Sequence, residues 1–477
     1  MGKYSYYVGG EFRESNKEIA VVNPATEEVF AHIFEVEKKD LDFAIEQAKS
    51  AQRQWRKINF KERAKVLRAI SALILENISL LAEFETKEIG KPLKESLFVD
   101  IPLAAQCFDY YAAFLEGLEE KSISTEGGID LIKYEPYGVC ASYLPYNVPL
   151  MIFGFSCASA LASGNSLIIK PSEFGSLSIL ELAKHFDKLD IPKGLINIVT
   201  GKGETAGKYL AQSNIDIISF TGSRNTLKKI VSLTKDYPKK IICELGGANL
   251  TVVFQDADKN AAIENISGSS FMKQGQMCIG TSIALIEDEI YDDFLRQLLE
   301  KAKNIKTGDP FDATVGMGPL VSKEHLNSID MHIKDILKRG GKLLTGGKIL
   351  KQKGYFYPPT IIEIEDMVYE EFFAPVLLVK KFKNNQIQSL VENNPTGLVL
   401  QVWSNNLAKA KGLADIACCG TVWINTFAQM SPQTPFGGTK LSGWGRNLGS
   451  AGFFEYVQPK HIGIGLAKSP VEGWFGV

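Results

Sequence analysis

Apolar positions along the chain switch between helical and strand-like spacing. In the first part, apolar residues recur every three or four positions, which predicts helices over 38–59, 60–77, 78–88 and 93–118. From Gly138 onward, short β-branched runs alternate with helical stretches, and this alternation predicts a parallel sheet with helices on both faces. The predicted strands are 139–144, 166–170, 195–199, 215–220 and 240–244, and the predicted helices are 150–162, 176–189, 204–212 and 224–235.

Three other stretches complete the predicted elements. Residues 1–23 predict a short strand pair, and 121–135 predict a hairpin with Gly127 and Gly128 at its turn. A second α/β segment follows Asn249 and runs to about Gly445, and a strand-like tail covers 456–466. An uncharged run from 136 to 169 is broken by prolines and glycines, so we interpret it as buried strand, turn, helix and strand and not as a membrane span.

Composition limits the class of protein. At 477 residues, with 45% apolar and 23% charged residues, the chain is expected to form a globular protein of two or three domains. A net charge of −2 gives no electrostatic footprint for nucleic acid or an anionic membrane. The start of the chain has no long apolar segment, so we expect no secretory signal.

The cysteines and histidines favour neither disulfides nor metal. The seven cysteines are odd in number and lack CxxC spacing, which fits reduced thiols in a cytoplasmic protein. The five histidines form no HExxH sequence, so we expect no metal site.

The strongest candidate for chemistry lies between Glu244 and Gly280. A carboxylate in Glu244-Leu245-Gly246-Gly247 and a thiol in Gly275-Gln276-Met277-Cys278 flank a helix predicted over 258–272. A thiol can act as a nucleophile when it has thiolate character and is accessible, and a nearby carboxylate can activate the water that hydrolyses the covalent product. From these residues alone, Cys278 could equally be a buried small hydrophobe and Glu244 a solvated strand end.

The ordered motifs resemble the aldehyde dehydrogenase superfamily, in its NAD(P)-dependent, non-acylating form. The resemblance extends from Val21-Val22-Asn23-Pro24-Ala25-Thr26 to Gly443-Trp444-Gly445-Arg446. It implies an α/β fold with a Rossmann-type parallel-sheet cofactor domain, a second α/β catalytic domain and a small β oligomerisation element. The implied bounds are 1–120 and 138–247 for the cofactor domain, 248–446 for the catalytic domain, and 121–137 with 455–477 for the oligomerisation hairpin and tail.

The resemblance also implies a reaction, the oxidation of an aldehyde to the carboxylic acid. Cys278 would form a thiohemiacetal and then a thioester, which Glu244 would hydrolyse by activating water. Asn147, within Tyr146-Asn147-Val148-Pro149, and the backbone N–H of Cys278 would donate to the oxyanion. Lys170 would help to tune the site through the cofactor ribose.

The resemblance also implies which residues bind the cofactor, and it makes NAD the expected cofactor and NADP a possible one. No Walker A sequence is present, so phosphoryl transfer is not indicated. A carboxylate at Glu173 would bind the free 2′-hydroxyl of the ribose and repel a 2′-phosphate. The residues that the resemblance assigns to the cofactor are Tyr146, Lys170, Glu173, Gly203, Gly207, Phe220, Thr221, Gly222, Ser223, Leu245, Gly246, Glu371 and Phe373.

The matching substrate tunnel carries no charge, which predicts a neutral aliphatic or aromatic aldehyde. Its residues are Val148, Met151, Ile152, Phe155, Met277, Ile279, Phe427, Met430 and Phe436. The hairpin and tail imply a homodimer or homotetramer. Two alternatives stay open: a coenzyme-A-acylating dehydrogenase, and an inactive binding protein on the same scaffold.

Three positions depart from the family pattern. Ile283 stands five residues after Cys278, where many relatives have arginine, and this leaves open how the nucleophile loop is held. Arg224 begins a stretch where many relatives have Thr-Glu-x-Gly, and Ala374 replaces a glycine.

Overall fold

Parallel strands form the centre of an eight-stranded sheet in the computed structural model, which describes residues 2–466. In spatial order the strands are Gly443–Trp444, Lys240–Leu245, Ile217–Gly222, Val139–Leu144, Ser166–Pro171, Ile196–Ile198, Tyr6–Val8 and Glu11–Arg13. The five inner strands from Lys240–Leu245 to Ile196–Ile198 pair in parallel, and the outer strands pair antiparallel to them.

The sequence accounts for these inner strands. Every residue of Val139–Leu144 and of Ser166–Pro171 is buried, as expected for parallel strands covered by helices on both faces. Each of the five predicted strands is present, with ends shifted by at most two residues. The predicted strand pair near the start is the hairpin Tyr6–Val8 and Glu11–Arg13, which extends the sheet at its edge.

The order of the inner strands sets the position of a crevice. The chain runs outward from Val139–Leu144 in one direction, and then returns to place Ile217–Gly222 on its other side. Open α/β sheets bind ligands outside the carboxyl ends of the strands at such a reversal. Residues just after Leu144 and around Gly222 therefore face a common crevice.

A second, seven-stranded sheet lies in the later part of the chain. Its order is Lys342–Thr345, Thr360–Glu363, Val376–Phe382, Ile283–Glu287, Leu250–Val253, Val399–Trp403 and Thr421–Ile424. Only the first of these pairs antiparallel with its neighbour. A separate apolar core packs against this sheet, and Ile283 belongs to that core.

Three smaller sheets are also present within residues 2–466. The hairpin Lys121–Thr125 and Gly128–Pro136 pairs with Val457–Gly465 in one antiparallel sheet. Gly2–Tyr4, Glu28–Phe34 and Glu18–Asn23 form another, and Thr396–Gly397 pairs with Thr439–Lys440. The part of the predicted tail over 467–477 lies outside the described residues.

The helices agree with the apolar spacing apart from three π-helical turns and the stretch predicted over 176–189, where the α-helix ends at Ala183 and a 3₁₀ turn covers Phe186–Lys188. The α-helices are Lys38–Trp55, Phe60–Glu76, Ile78–Ile89, Leu93–Glu95, Ile101–Glu116, Pro149–Ile152, Ala158–Ala162, Leu177–Ala183, Lys208–Gln212, Arg224–Leu233, Lys259–Phe271, Tyr291–Lys303, Lys323–Lys338, Ile387–Glu392, Leu407–Ile416 and Gly449–Glu455. Wider π-helical turns interrupt the stretches predicted as continuous helices at Ser96–Asp100, Phe153–Cys157 and Gly203–Gly207. Periodicity alone does not distinguish such turns from α-helix. Over residues 2–466 no helix has the length and apolar character needed to cross a bilayer.

Candidate active site

A cavity of about 1370 Å³ opens at the carboxyl ends of the inner strands. It brings together the candidate nucleophile Cys278, the carboxylate of Glu244 and the amide of Asn147. The predicted cofactor residues also line it: Tyr146, Lys170, Glu173, Gly203, Gly207, Phe220, Thr221, Gly222, Ser223, Leu245, Gly246, Glu371 and Phe373. Residues far apart in sequence thus share one chamber, as the strand order requires.

Cys278 follows a strained turn. The helix Lys259–Phe271, capped by Asp258, ends at a turn in which Lys273, Gln274 and Gly275 have φ of +52°, +56° and +67°. Non-glycine residues rarely adopt this left-handed conformation, and they hold it only where surrounding contacts require it. A Cβ at Gly275 would overlap the carbonyl of Ala374, so the loop lies directly against that neighbouring segment.

Asn249 tethers the nucleophile loop, which carries Cys278, through its side chain. Its side-chain amide donates to the carbonyl oxygens of Cys278 and Gly280 at 2.7 and 2.9 Å. The amide oxygen accepts the backbone N–H of Val399 at 3.1 Å. Ile283, in contrast, is fully buried in an inner strand of the second sheet. The loop is therefore tethered without an arginine at that position.

The surroundings of Cys278 favour the neutral thiol. The side chain is partly exposed, and it lies beside Glu371 and Glu244. Burial, and then these two carboxylates, raise the pKa of the Cys278 thiol to about 12. The backbone N–H groups of Cys278 and Ile279 act in the opposite direction, because they stabilise the thiolate.

Gln276 connects the nucleophile loop to the turn that carries Asn147. The Asn147 amide donates to the Gln276 carbonyl oxygen at 2.8 Å. The Gln276 side-chain oxygen accepts the hydroxyl of Tyr146 at 3.3 Å and the N–H of Val321 at 3.1 Å. Since a side-chain amide has two N–H hydrogens, this arrangement leaves Asn147 able to donate a second bond into the cavity.

Glu244 is a buried carboxyl near the carboxyl end of the inner strand Lys240–Leu245. It pairs with Thr221 on one side and Gly443 on the other, and it is 5% exposed. Among the described residues neither carboxyl oxygen has a hydrogen-bond partner. Burial raises the pKa of Glu244 well above its ordinary value, although the Arg446 guanidinium opposes this shift. A free oxygen on a buried carboxyl can accept a proton from a water or a thiol.

One side of the cavity has the features of a dinucleotide site. Lys170 is 5% exposed, and its ammonium lies 2.9 Å from the Pro171 carbonyl oxygen and 3.7 Å from the Glu173 carboxylate. Burial lowers the pKa of Lys170. Ser223 caps the helix Arg224–Leu233 by accepting the N–H of Thr226, so a helix N-terminus also faces the cavity.

Glu371 supplies a polar group that has no partner within residues 2–466. Its Oε1 is buried without a hydrogen bond, although it lines the cavity, and burial raises its pKa to about 7. A Cβ at Gly246 would overlap the Glu371 carboxylate, so only glycine fits there. An orphaned buried acceptor beside a glycine is a suitable cradle for a ribose hydroxyl, which fits a nicotinamide dinucleotide.

Phe373 is held in place by His325. The φ of Phe373 is +52°, and its carbonyl oxygen lies 2.9 Å from Nε2 of His325. Burial lowers the pKa of His325, so the neutral ring donates its Nε2–H to this carbonyl. The Phe373 ring meets Tyr146 edge-on at 5.9 Å.

The predicted substrate residues fall into three groups. Val148, Ile152, Phe155 and Phe436 line the main cavity, and Met430 lines a smaller one of about 290 Å³ that shares Phe436. Met277 and Ile279 are buried in the apolar core, against which Met151 and Phe427 pack. The last four are close to the site but line neither cavity.

Sequence reasoning missed Asn249, Gln276 and His325. Each is a polar residue in or beside a glycine-rich turn or at a helix start, where surface residues of the same kind are common. Asn249 and Gln276 are close in sequence to the proposed catalytic residues, and this proximity was the one available signal. Their carbonyl and side-chain partners come from distant segments.

Comparison with known proteins gives the family. The model of the aldehyde dehydrogenase family matches residues 12–462. The chain is 38% identical to betaine aldehyde dehydrogenase of Bacillus subtilis, over 98% of this chain and 99% of the relative. It is 35% identical to human retinal dehydrogenase 2, over 95% of this chain and 90% of the relative.

Solved structures agree with this assignment. The fold matches a betaine aldehyde dehydrogenase from Staphylococcus aureus in complex with NAD⁺, with a TM-score of 0.96 and 33% identity over 99% of this chain and 97% of the other. It also matches PnpE in complex with nicotinamide adenine dinucleotide, with a TM-score of 0.95 and 33% identity over 98% of both chains. The family and fold expected from the sequence are confirmed. The chain therefore belongs to the aldehyde dehydrogenase family and is an oxidoreductase that acts on aldehydes.

Proposed function

We propose that this enzyme oxidises a neutral aldehyde to its carboxylic acid with NAD, through a covalent thioester on Cys278. The observation that carries the proposal is the shared cavity, in which Cys278, Glu244 and Asn147 lie beside a cradle suited to a dinucleotide. NAD, when bound, supplies the hydride acceptor.

Cys278 attacks the aldehyde carbon, and its proton must leave the sulfur. Because the pKa of the thiol is raised to about 12, a base is needed. Glu244 is suited to this task, since its pKa is also raised and its oxygens are free among the described residues. The product is a thiohemiacetal whose oxygen carries developing negative charge.

Asn147 stabilises that oxygen. Its amide position is fixed by the bond to the Gln276 carbonyl, so it is pre-set before the substrate arrives. The backbone N–H of Cys278 is the second donor. Removing one donor of this kind typically reduces the rate about 10²–10³-fold.

Loss of hydride leaves a thioester on Cys278, which water hydrolyses. Glu244 takes the proton from this water, and the acid is released. A buried carboxyl at this position favours hydrolysis over transfer to coenzyme A, because a CoA thiol needs no activated water. Measuring whether the product forms without CoA separates these two reactions.

Several features support NAD as the preferred cofactor. Glu173 lies beside Lys170 on the cavity wall, where a carboxylate accepts a ribose hydroxyl and repels a 2′-phosphate. Glu371 and Gly246 would hold the second ribose, and Phe373 would contact the nicotinamide ring. A higher kcat/KM with NADP than with NAD would overturn this assignment.

The apolar walls support a neutral, medium-chain aliphatic or aromatic aldehyde. Val148, Ile152, Phe155 and Phe436 face the main cavity, and the smaller cavity has no charged residue in its lining. We expect higher kcat/KM for hexanal or benzaldehyde than for succinic semialdehyde. Betaine aldehyde is the other informative substrate, because its cation could bind the aromatic rings. A higher kcat/KM for either charged aldehyde would refute the neutral class.

We also infer that the enzyme is a cytoplasmic homodimer or homotetramer. The strand Lys121–Thr125 is exposed along its whole length, as are Ile464 and Leu466 at the far edge of the same sheet. Exposed edge strands with apolar residues favour pairing with another chain. Light scattering on the purified protein tests this, and a monomer would contradict it. The free cysteines fit a reducing compartment.

The experiment that tests the function follows NADH formation with hexanal and NAD, beside the Cys278→Ala variant. We expect turnover only with the wild type, and hexanoate as the product without CoA. If no aldehyde of any class reduces NAD or NADP, the chain is an inactive member of its family.

A further inference from the structure

A buried ionic network lies behind the active site and outside its cavity. It consists of Glu85, Lys91, Glu95, Asp100 and Lys273, which are between 0% and 6% exposed. The Lys91 ammonium lies 2.5 Å from Glu85 and 2.7 Å from Asp100. The other oxygen of Asp100 lies 2.9 Å from the Lys273 ammonium. Glu85, Lys91, Asp100 and Lys273 are therefore linked by successive ion pairs, and Glu95 joins them through the backbone of Lys273.

One end of this network holds the turn before the nucleophile. The backbone N–H of Lys273 donates to the Glu95 carboxylate, at 3.2 and 3.1 Å from its two oxygens. Lys273 is the first of the left-handed residues that lead to Cys278. Its side chain and its backbone are thus both fixed by carboxylates of the network.

The other end holds the turn that carries the oxyanion donor. Glu85 accepts the backbone N–H of Leu150 at 3.1 Å, and Leu150 is close in sequence to Asn147. The second Glu85 oxygen binds Lys91 and the hydroxyl of Ser96. A single set of contacts therefore joins the Asn147 turn to the Cys278 loop.

Stability does not explain such a network. Burying charges has a desolvation cost that ion pairing often fails to offset, and replacing a buried ion pair with apolar residues of similar volume is often neutral or stabilising. Hydrogen-bonded ion pairs do fix the relative positions of the segments that carry them. The backbone N–H groups of Lys273 and Leu150, at the two ends of the network, have defined carboxylate partners. A reaction that needs sulfur and oxyanion donor at a set separation benefits from this.

We propose that the network of Glu85, Lys91, Glu95, Asp100 and Lys273 positions the Cys278 loop relative to the Asn147 turn. These are positioning residues, because none contacts the cavity in which the reaction takes place. The inference rests on the proposed roles of Cys278 and Asn147. It adds that the network holds the Cys278 loop and the Asn147 turn in a fixed relative position.

An activated ester isolates the step that this geometry controls. With p-nitrophenyl acetate, Glu244 takes the thiol proton, the Cys278 sulfur forms a bond to the carbonyl carbon, the ester C–O bond breaks and p-nitrophenolate leaves. Water then hydrolyses the thioester. This acylation uses the nucleophile and the oxyanion donors but no hydride transfer, so its rate reports on their alignment.

The test variants are Lys273→Met at one end and Glu85→Gln at the other. We expect each to slow acylation about 10- to 100-fold, the range for a displacement near 1 Å. The Kd for NAD should stay within about twofold, because the cofactor cradle is untouched. Lys273→Arg, which keeps the charge, should recover most of the rate. In the double variant the loss should be smaller than the product of the single losses, because both act on one unit.

Glu287→Gln is the matched control. Glu287 is 1% exposed, and it accepts the N–H of Gln255 at 2.6 Å in the second sheet, away from the cavity. This control should lose thermal stability but keep its acylation rate. All rates are compared well below each variant's unfolding midpoint, so loss of folded protein does not contribute.

The outcomes distinguish a failure of the positioning inference from a failure of the proposed function. If the network variants acylate as fast as Glu287→Gln, or if the double variant shows the full product of the single losses, the positioning inference is wrong and the proposed function stands. If the wild type shows no acylation that depends on Cys278, the proposed function and this inference both fall.

Discussion

Replacing Asn249 with alanine tests whether the nucleophile loop depends on this residue. The substitution removes two donated hydrogen bonds, to the carbonyls of Cys278 and Gly280, and one accepted bond from Val399. Asn249 is 2% exposed, so water does not readily replace it. The change leaves Cys278 itself, and every residue that contacts the cofactor cradle, in place.

The size of the effect follows from the bonds that are lost. A buried polar group left without a partner typically costs about 1–3 kcal/mol, and this substitution leaves the three backbone groups unpaired. We therefore expect roughly 3 kcal/mol or more of lost stability. The carbonyl of the nucleophile itself becomes free to move, so kcat should fall about 10²-fold, the loss seen when a reacting atom shifts by near 1 Å.

The assay measures kcat and KM with hexanal and NAD at a temperature where both variants are folded. Asn197→Ala is the matched control. Asn197 is fully buried and donates to the carbonyls of Leu167 and Gly194, at 3.1 and 2.7 Å. It also accepts the N–H of Gly9 at 2.9 Å. The bonding pattern is the same, but neither of these carbonyls belongs to the loop that carries Cys278.

We expect both variants to unfold at lower temperature and only Asn249→Ala to lose kcat. The reasoning is refuted if the two variants lose activity equally, since the loss would then reflect general destabilisation. It is also refuted if Asn249→Ala keeps its kcat, because the loop would then hold its position without the tether.

Three further predictions concern the carboxyl groups and the cofactor cradle. Glu244→Gln should form its one equivalent of NADH more slowly than the wild type, because Glu244 takes the thiol proton, and steady-state turnover should fall about 10²–10⁴-fold, as measured by stopped-flow absorbance. An unchanged rate for the first NADH equivalent would contradict the role of Glu244 as the base for Cys278. The pKa of Glu371 is raised from 4.5 to about 7, so the folded protein retains a proton that the unfolded chain has lost. Ionising this buried carboxyl therefore lowers the stability of the wild type as pH rises. The unfolding temperature of Glu371→Gln, relative to that of the wild type, should increase between about pH 4.5 and 7 and then level off. A difference in unfolding temperature that does not change with pH would contradict the raised pKa of Glu371. Gly246→Ala places a methyl group against the Glu371 carboxylate, so the Kd for NAD should rise about tenfold or more in a fluorescence titration. Cys278 of this variant should still be alkylated, as the control for an intact nucleophile. Unchanged NAD binding would show that the cofactor cradle lies elsewhere.

The fold was largely accessible from the sequence, because burial on both faces leaves a clear pattern. Val139–Leu144 was predicted to the residue, and the other inner strands shifted only at their ends. These strands are continuous apolar runs between glycine, proline and polar turns, which is the strongest local signal. The π-helical turns were not predictable, since they arise where packed elements meet, as at Gly154 against Ala104.

Predicting the site depended on motifs more than on physics. Cys278 and Glu244 stood out through their glycine neighbours and the helix between them. Asn249 and Lys273 lie in the same stretch but gave no sign, because their partners are a carbonyl in the next loop and a carboxylate from the first part of the chain. Long-range contacts of this kind have no local pattern, so only the folded structure places them.

The burial of the site was also not evident. Sequence reasoning asked for thiolate character at Cys278, whereas the folded site raises the thiol pKa to about 12. The cause is the enclosure of two carboxyls and a thiol in one chamber, which no single segment encodes. The base that must deprotonate the sulfur, Glu244, comes from a strand of the first sheet and lines the same chamber.

The central claim is that oxidation passes through a thioester on Cys278. The direct measurement is the mass of the intact protein after rapid acid quench of Glu244→Gln with hexanal and NAD, followed by peptide mapping. The account predicts an added hexanoyl group on the peptide that contains Cys278, with one NADH formed for each modified chain and no such adduct in Cys278→Ala. NADH production without any acyl adduct, or an adduct on a different residue, would contradict it.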